Sequence, residues 1–410
     1  MKLITFLGTG KYESANYRWN DQTYETTFVQ EAFVHWLKPE VTCVLLTEGA
    51  RAKHWDDLSQ RLQGHTQTIE IDIPDGKSEA ELWQIFAAIS DAVHEGDEIA
   101  FDITHGFRSL PMIALLTIAY LKQVKGVKVQ YVLYGAFEAR DNRGAPVFDL
   151  TPFADLLDWL AAAKMFMATG DSSELGQLIQ KVQNDAYRNR GAYGENLPCA
   201  LKKFGAALEE VSNDLLLARV PSLPKSVDNL IEKQRQASAE VSQWTQPLTL
   251  LLDKIAAAYA PFQDNRLSTQ AALIRWYLKH NHIMQAMTLA REWVVSDYAR
   301  QKSPSRAAAE AELNQRAENH EKDEIIQLWS RIRKIRNDLA HCGFGRAEGQ
   351  VLSAARYART RRRSWSRLSN SRSKGLWIAD AWQLECGSKA AASALHRIGS
   401  LREAGGTCRS

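Results

Sequence analysis

Two short stretches of the 410-residue chain crowd together side chains that do chemistry. In FDITHGFRSLP, residues 101–111, a β-rich run gives way to Thr104, His105, Gly106, Arg108 and Ser109 just ahead of Leu110 and Pro111. Hydroxyl donors, a guanidinium, a glycine that lets the backbone come close, and the N–H groups opening a helix together suit a phosphate-bearing ligand. Gly8, Thr9 and Gly10, after the run KLITFL, offer the same chemistry. The second stretch, WSRIRKIRNDLAHCG at 329–343, sets Arg336 and Asn337 before His341. It joins a permanent cation, an amide and an imidazole that titrates near neutrality.

Plainer explanations exist for each. A buried helix needs an N-cap, and Ser109 with Pro111 in the first turn supplies one, but a bare cap would not require Thr104, His105 and Arg108. The string GTGKYE lacks the third glycine of a dinucleotide fingerprint, residues 11–22 read as polar and aromatic loop, and no Walker A loop is present. Glu48 could touch a ribose, though many strand ends carry an acid. An arginine followed after four residues by a histidine arises by chance about once in a chain with ten histidines.

Arg275 and His280 fit that spacing as well, with the Trp, Tyr, Leu and Lys of a packing helix between them. Arg336 instead precedes Asn337 and Asp338, and its run stops at Cys342-Gly343, which places His341 at a helix end. There, interaction with the helix dipole is the plain role. Asn337 shares a helix face with His341, while Arg336 lies about 140° round and would join it only at a frayed terminus or across a subunit interface.

These residues need elements to hold them. Residues 1–150 alternate short β-rich runs (KLITFLG, VTCVLL, TIEIDI, EIAFDI, VKVQYVLY) with helical patterns over 26–37 and 78–94, which predicts a parallel sheet covered by helices on both faces. In such sheets ligands bind beyond the carboxyl ends of the strands where the strand order reverses. The first and fourth runs end in the two phosphate-suited junctions. From about residue 151 the β-rich runs cease and apolar residues recur at helical spacing, interrupted by turns at 188–197, 220–224 and 302–305. The expected fold class is α/β plus all-α: a Rossmann-like sheet domain over 1–150, a helical domain over 151–345, and a basic tail over 346–410.

That tail holds thirteen Lys and Arg against four Asp and Glu, although the whole chain carries a formal net charge of only +3, so the body is mildly acidic. Rich in Arg and Ser and without periodicity, the tail reads as disorder, a loose nucleic-acid arm, or an altered reading frame. Five scattered cysteines fit a reducing cytoplasm and give no metal-ligand spacing. The longest nearly apolar run, 110–121, is too short to span a bilayer, and the N-terminus lacks a secretory design. The expectation is a soluble cytoplasmic protein with no metal and no membrane partner.

FLGTGKY, YETTFVQEA, DITHGFRSLP and YGAFEAR resemble the CARF domain of CRISPR-associated proteins, and RNDLAH resembles the signature of HEPN ribonucleases. Their order resembles the CARF–HEPN ancillary ribonucleases of type III CRISPR systems over residues 1–345. The resemblance implies a homodimer, or a higher homo-oligomer, whose CARF domains bind a cyclic oligoadenylate (tetra- or hexa-adenylate) as allosteric activator and whose HEPN domains cut single-stranded RNA. It places the ligand's phosphates on Gly8, Thr9 and Gly10 and on Thr104, His105, Gly106, Arg108 and Ser109. His341 would then move a proton, Arg336 would stabilise phosphate charge and Asn337 would orient either group; RNA brings its own 2′-hydroxyl nucleophile, so no metal is called for. A ligand-sensing regulator without nuclease activity is the alternative, and a nucleotide-dependent metabolic enzyme a weaker one for want of an acid, base or nucleophile set.

Overall fold

The structure, a computed structural model, describes residues 1–105, 110–302, 305–342 and 344. Gly106, Arg108 and Ser109 of the junction and the tail over 346–410 lie outside the described residues. The chain divides into two compact units, the first Met1–Ala161 and the second beginning at Ala162.

In the first unit, β1 (Lys2–Leu7) is followed by β2 (Ala15–Trp19), β3 (Gln22–Thr26), α1 (Val29–Leu37), β4 (Val41–Leu46), α2 (Glu48–Ala50), a π-helical turn at Arg51–Trp55, and α3 (Asp56–Leu62). Next come β5 (Gln67–Asp72), α4 (Glu79–Asp91), β6 (Glu98–Asp102), α5 (Leu110–Val124), β7 (Lys128–Gly135), β8 (Ala145–Asp149) and α6 (Thr151–Thr169), which runs past the division at Ala161. One sheet of eight strands has the order β3-β2-β8-β7-β6-β1-β4-β5. β1 pairs in parallel with β4 on one side and β6 on the other, so the order reverses between β1 and β6, as the sequence predicts. The five strands expected from the sequence form the parallel centre of this sheet.

The sheet is mixed rather than wholly parallel. β8 runs antiparallel to β7, and β2 and β3 form an antiparallel hairpin whose first strand and turn fall in residues 11–22, which the sequence presents as loop, and whose second strand runs on to Thr26, where the expected helical pattern begins. Asn20 and Asp21 explain the hairpin: both adopt positive φ (47° and 59°), the conformation of a tight two-residue turn that Asn and Asp tolerate. Lying at the sheet edge, β2 and β3 are mostly unburied and carry no apolar run to announce them.

Alternation along β1 sorts the core. Leu3 and Leu7 pack with Val44, Leu46, Phe33, Leu58 and Leu62 on one face. Ile4 and Phe6 pack with Leu45, Phe101, Ile85, Ile89, Ala114 and Ile118 on the other. Both faces are dry, which is why these strands read as continuous apolar runs.

The second unit is helical: α7 (Ser173–Arg188), α8 (Arg190–Tyr193), α9 (Leu201–Leu216), α10 (Leu223–Trp244), α11 (Gln246–Tyr259), α12 (Leu267–Lys279), α13 (Ile283–Lys302), α14 (Arg306–Glu318) and α15 (Glu324–Ala340). Helices α7 and α9 cross at Gly176 and Gly205, where a Cβ on Gly176 would stand 2.5 Å from the Gly205 carbonyl oxygen. α15 packs against α13 and α14 through Ile326, Trp329 and Ile332. The Trp329 indole N–H (3.1 Å) and the Arg333 guanidinium (2.9 Å) both donate to the Asn314 side-chain oxygen, and Asp323 caps the helix start by accepting from the Ile325 N–H at 2.9 Å. Among the described residues no helix is long and apolar enough to cross a membrane.

Candidate functional site

At the reversal point, Thr5 of β1 sits opposite Asp102 of β6. Asp102 is fully buried, and its carboxylate accepts from the Thr5 hydroxyl (2.6 Å), the Thr104 N–H (2.8 Å) and the Thr104 hydroxyl (2.5 Å). Thr104 Oγ1 in turn accepts from the Gly135 N–H of β7 at 2.8 Å. One carboxylate therefore ties the ends of β1, β6 and β7 together. Burial pushes its pKa up to about 6 against the opposing pull of the Thr104 and Thr5 hydrogen bonds.

This network defines what Thr104 does. Its hydroxyl proton goes to Asp102 and its lone pair to Gly135, so the side chain fixes the junction from beneath. His105 follows with its ring buried, which drives its pKa down to about 4, helped by the charge of His54. Its Nε2 is buried and has no hydrogen-bond partner among the described residues.

The glycine-rich end of β1 lies beside this junction, since a Cβ on Gly8 would meet the His105 Cβ at 3.4 Å. The Gly8 N–H donates to the Tyr12 hydroxyl at 2.9 Å. Tyr12 stands edge-on to His105 and His54, with ring centroids 4.6 and 4.7 Å away, and leans on Phe28 at 5.1 Å. Lys53 Nζ donates to the Thr9 carbonyl (2.9 Å), and His54 Nε2 lies 2.8 Å from the Gly10 carbonyl, which can only accept, so that nitrogen carries the proton. Thr9 and Gly10 themselves are exposed.

The structure thus sets Gly8 against His105, with Thr104 just before it, while Thr9 and Gly10 run on from Gly8 toward Lys53 and His54. It adds Tyr12, Lys53, His54 and Asp102, which the sequence reading did not assign. Tyr12 sits inside the quoted GTGKY string, but Lys53 and His54 arrive from a π-helical turn more than forty residues away, and no local pattern marks them.

In the second unit His341 caps α15, its N–H bonded to the Asn337 carbonyl at 3.0 Å, and its side chain is exposed. Arg336 donates to the neighbouring Asn337 side-chain oxygen at 3.1 Å and has a buried Nε with no partner among the described residues. No hydrogen bond joins the Arg336 or Asn337 side chain to the His341 ring among the described residues. The helical geometry that sets Arg336 about 140° round from His341 holds in α15. The matching pair elsewhere differs: His280 Nδ1 lies 2.9 Å from the Trp276 carbonyl and its ring packs at a tilt against Trp276 with centroids 4.3 Å apart, which gives it a packing role. No group of three or more His, Cys, Asp or Glu is placed to hold a metal among the described residues.

Residues 2–138 match the family model described as CRISPR system endoribonuclease Csx1, CARF domain. That stretch, β1 through β7, is a CARF-type domain. Its residues 155–261 match the second domain of CRISPR-associated protein MJ1674. That protein, from Methanocaldococcus jannaschii, is 22% identical over 208 residues, which cover 49% of this chain and 29% of the relative. The chain therefore spans less than a third of that relative's length. The Gly8 to Gly10 turn and the Thr104–His105 junction both fall inside the CARF match, and both matched domains end before α15 begins.

Proposed function

We propose that this protein is an endoribonuclease of CRISPR antiviral defence, switched on when a cyclic oligoadenylate binds its CARF domain. The observation that carries the reading is the approach of Gly8, which opens the Gly8 to Gly10 turn, to His105 of the second junction at the strand-order reversal of a sheet that matches a CARF domain. Backbone N–H groups at such a turn cradle phosphate, and Arg108 and Ser109 just downstream add charge and a hydroxyl. A cyclic tetra- or hexa-adenylate is itself symmetric and so offers equivalent phosphates to two copies of this turn.

Cutting is assigned to a HEPN-type centre at Arg336, Asn337 and His341, acting on single-stranded RNA. The 2′-hydroxyl attacks the adjacent phosphorus, the 5′-oxygen of the next nucleotide leaves, and a 2′,3′-cyclic phosphate forms. His341, exposed at its helix end, moves the proton; Arg336 neutralises the pentavalent phosphate; Asn337, already holding Arg336, sets its direction. Because Arg336 turns to Asn337 and not to His341, a complete centre takes these groups from two copies of the chain. The second copy has a surface to use: α5 exposes Met112, Leu116, Tyr120 and Val124 along one ridge, continued by Trp83 of α4. The single charged residue of α5, Lys122, is tied to Asp155 and Asp158 at 2.7 Å each, so two ridges meeting about a two-fold axis bring no unpaired charge of that helix together. A regulator without nuclease activity remains the second reading, favoured by the separation of Arg336 from His341 within one chain.

The test is cleavage of end-labelled RNA in EDTA, with and without each cyclic oligoadenylate. Activator-dependent cleavage ending in 2′,3′-cyclic phosphates, with the DNA analogue left intact, is expected. Cleavage of DNA at a comparable rate would exclude the 2′-hydroxyl mechanism.

A further inference from the structure

The Gly8 N–H is the donor best placed to meet a ligand phosphate, and it is taken. The Tyr12 hydroxyl accepts from it at 2.9 Å and donates back to the Gly8 carbonyl at 3.4 Å, so one phenol satisfies both polar groups of that glycine. Tyr12 belongs to no helix or strand; it lies in the loop between β1 and β2, held by edge contacts to His54 and His105 and a tilted contact to Phe28. Its hydroxyl sits over the bare backbone of Gly8, where a Cβ would stand 3.2 Å from that oxygen and 3.4 Å from the His105 Cβ. Beside it, His105 Nε2 is buried without a partner among the described residues.

We propose that Tyr12 holds the place of a ligand phosphate in the free protein, and that the ligand enters by taking the Gly8 N–H and displacing the phenol from between His54 and His105. This rests on the reading of the turn as a cyclic oligoadenylate site and adds to it a residue and an order of events. An anionic phosphate oxygen is a stronger acceptor for a backbone N–H than a neutral phenol, so the exchange runs toward the ligand. The aromatic space that Tyr12 vacates, walled by His54, His105 and Phe28, fits a flat purine, and His105 Nε2 then gains a partner on its edge. Lys53 and His54 stay on the Thr9 and Gly10 carbonyls and keep the turn in shape while the ring moves.

Tyr12→Phe keeps the ring and deletes the competing oxygen. Calorimetric titration with cyclic tetra-adenylate and cyclic hexa-adenylate should show Tyr12→Phe binding its preferred ring about 2- to 10-fold more tightly than wild type, the value of one neutral hydrogen bond no longer given up. Equal or weaker binding overturns the proposal, because it makes the phenol a structural or ligand-contacting group. A second measurement needs no variant: nitration of wild-type tyrosines by tetranitromethane, mapped by peptide mass, should rise at Tyr12 when the ring is added. Burial holds that phenol far above its ordinary pKa, which protects it in the free protein. Unchanged or falling nitration at Tyr12 with bound ligand overturns the displacement. If wild type binds neither ring, the cyclic oligoadenylate reading itself fails and takes this inference with it, an outcome visible before any variant is made.

Discussion

Asp102 shows how much one residue can fix. Three donors on two strands' ends converge on its carboxylate, and through Thr104 it reaches Gly135 on a third strand, so the geometry of the Thr104–His105 junction depends on a buried acid whose pKa is raised to about 6. Its folded pKa lies above the ordinary carboxylate value, so the folded state holds the proton more tightly. The stability contributed by the protonated form is complete below about pH 4 and is lost as pH rises through about 6. His105 works in the opposite sense nearby: its folded pKa near 4 lies below the ordinary imidazole value, so the stability of its neutral form grows as pH rises from about 4 to 6.5. The difference between wild type and Asp102→Asn isolates the first effect. Urea midpoints at pH 4 and pH 7 should show wild type losing ground to the variant at the higher pH; parallel behaviour of the two proteins would mean that Asp102 does not titrate in this range. From the sequence, Asp102 was visible only as the last letter of a strand. Its role could not be read because burial and the Thr5 contact, 97 residues away in sequence, come from the sheet.

At the scale of elements, the sequence showed what is periodic and hid what is not. The runs ending in Leu7, Leu46, Asp72, Asp102 and Gly135 became β1, β4, β5, β6 and β7: β1, β4 and β6, buried on both faces, write themselves as unbroken apolar letters, while β5 at the sheet edge and the half-exposed β7 show as β-branched and aromatic residues alternating with polar ones. The β2–β3 hairpin escaped because half-exposed edge strands carry no such signature, and its one local signal, Asn20-Asp21, is a turn pair among polar neighbours. Helix packing in the second unit was equally silent in the sequence, yet it rests on particular atoms. With the Gly205 carbonyl oxygen 2.5 Å from where a Cβ on Gly176 would stand, Gly176→Val must force α7 and α9 apart. Overpacking of this kind typically costs about 1–3 kcal/mol. A lowered urea midpoint with an unchanged slope is the expected result, and a midpoint equal to wild type would show that the helices can slide past one another.

The whole molecule joins a sheet unit to a helical unit, and its proposed action depends on two copies. The α5 ridge of Met112, Leu116, Tyr120 and Val124 gives the dimer a testable seam. Leu116→Glu sets two like charges against each other across a two-fold axis and should shift the protein from dimer to monomer in sedimentation velocity runs. A wild-type dimer left intact by this change would move the contact elsewhere. Here the sequence was read furthest: the order of the CARF strings and the Arg336 to His341 stretch pointed to sensing followed by cutting, while the partnership of Arg336 with Asn337 and the exposure of His341 needed coordinates.

The central claim, that ligand sensed at the Gly8 turn releases cutting at His341, is tested most directly by one paired titration. Wild type, His341→Ala and His280→Ala are each titrated with the cyclic oligoadenylate, with binding followed by calorimetry and RNA cleavage followed in the same solutions. All three should bind the activator alike, wild type and His280→Ala should cut RNA only when it is bound, and His341→Ala should lose about 10²- to 10⁴-fold in rate, the usual worth of a proton-transferring group. Cleavage by His341→Ala at the wild-type rate, or wild-type cleavage indifferent to bound activator, would contradict the account.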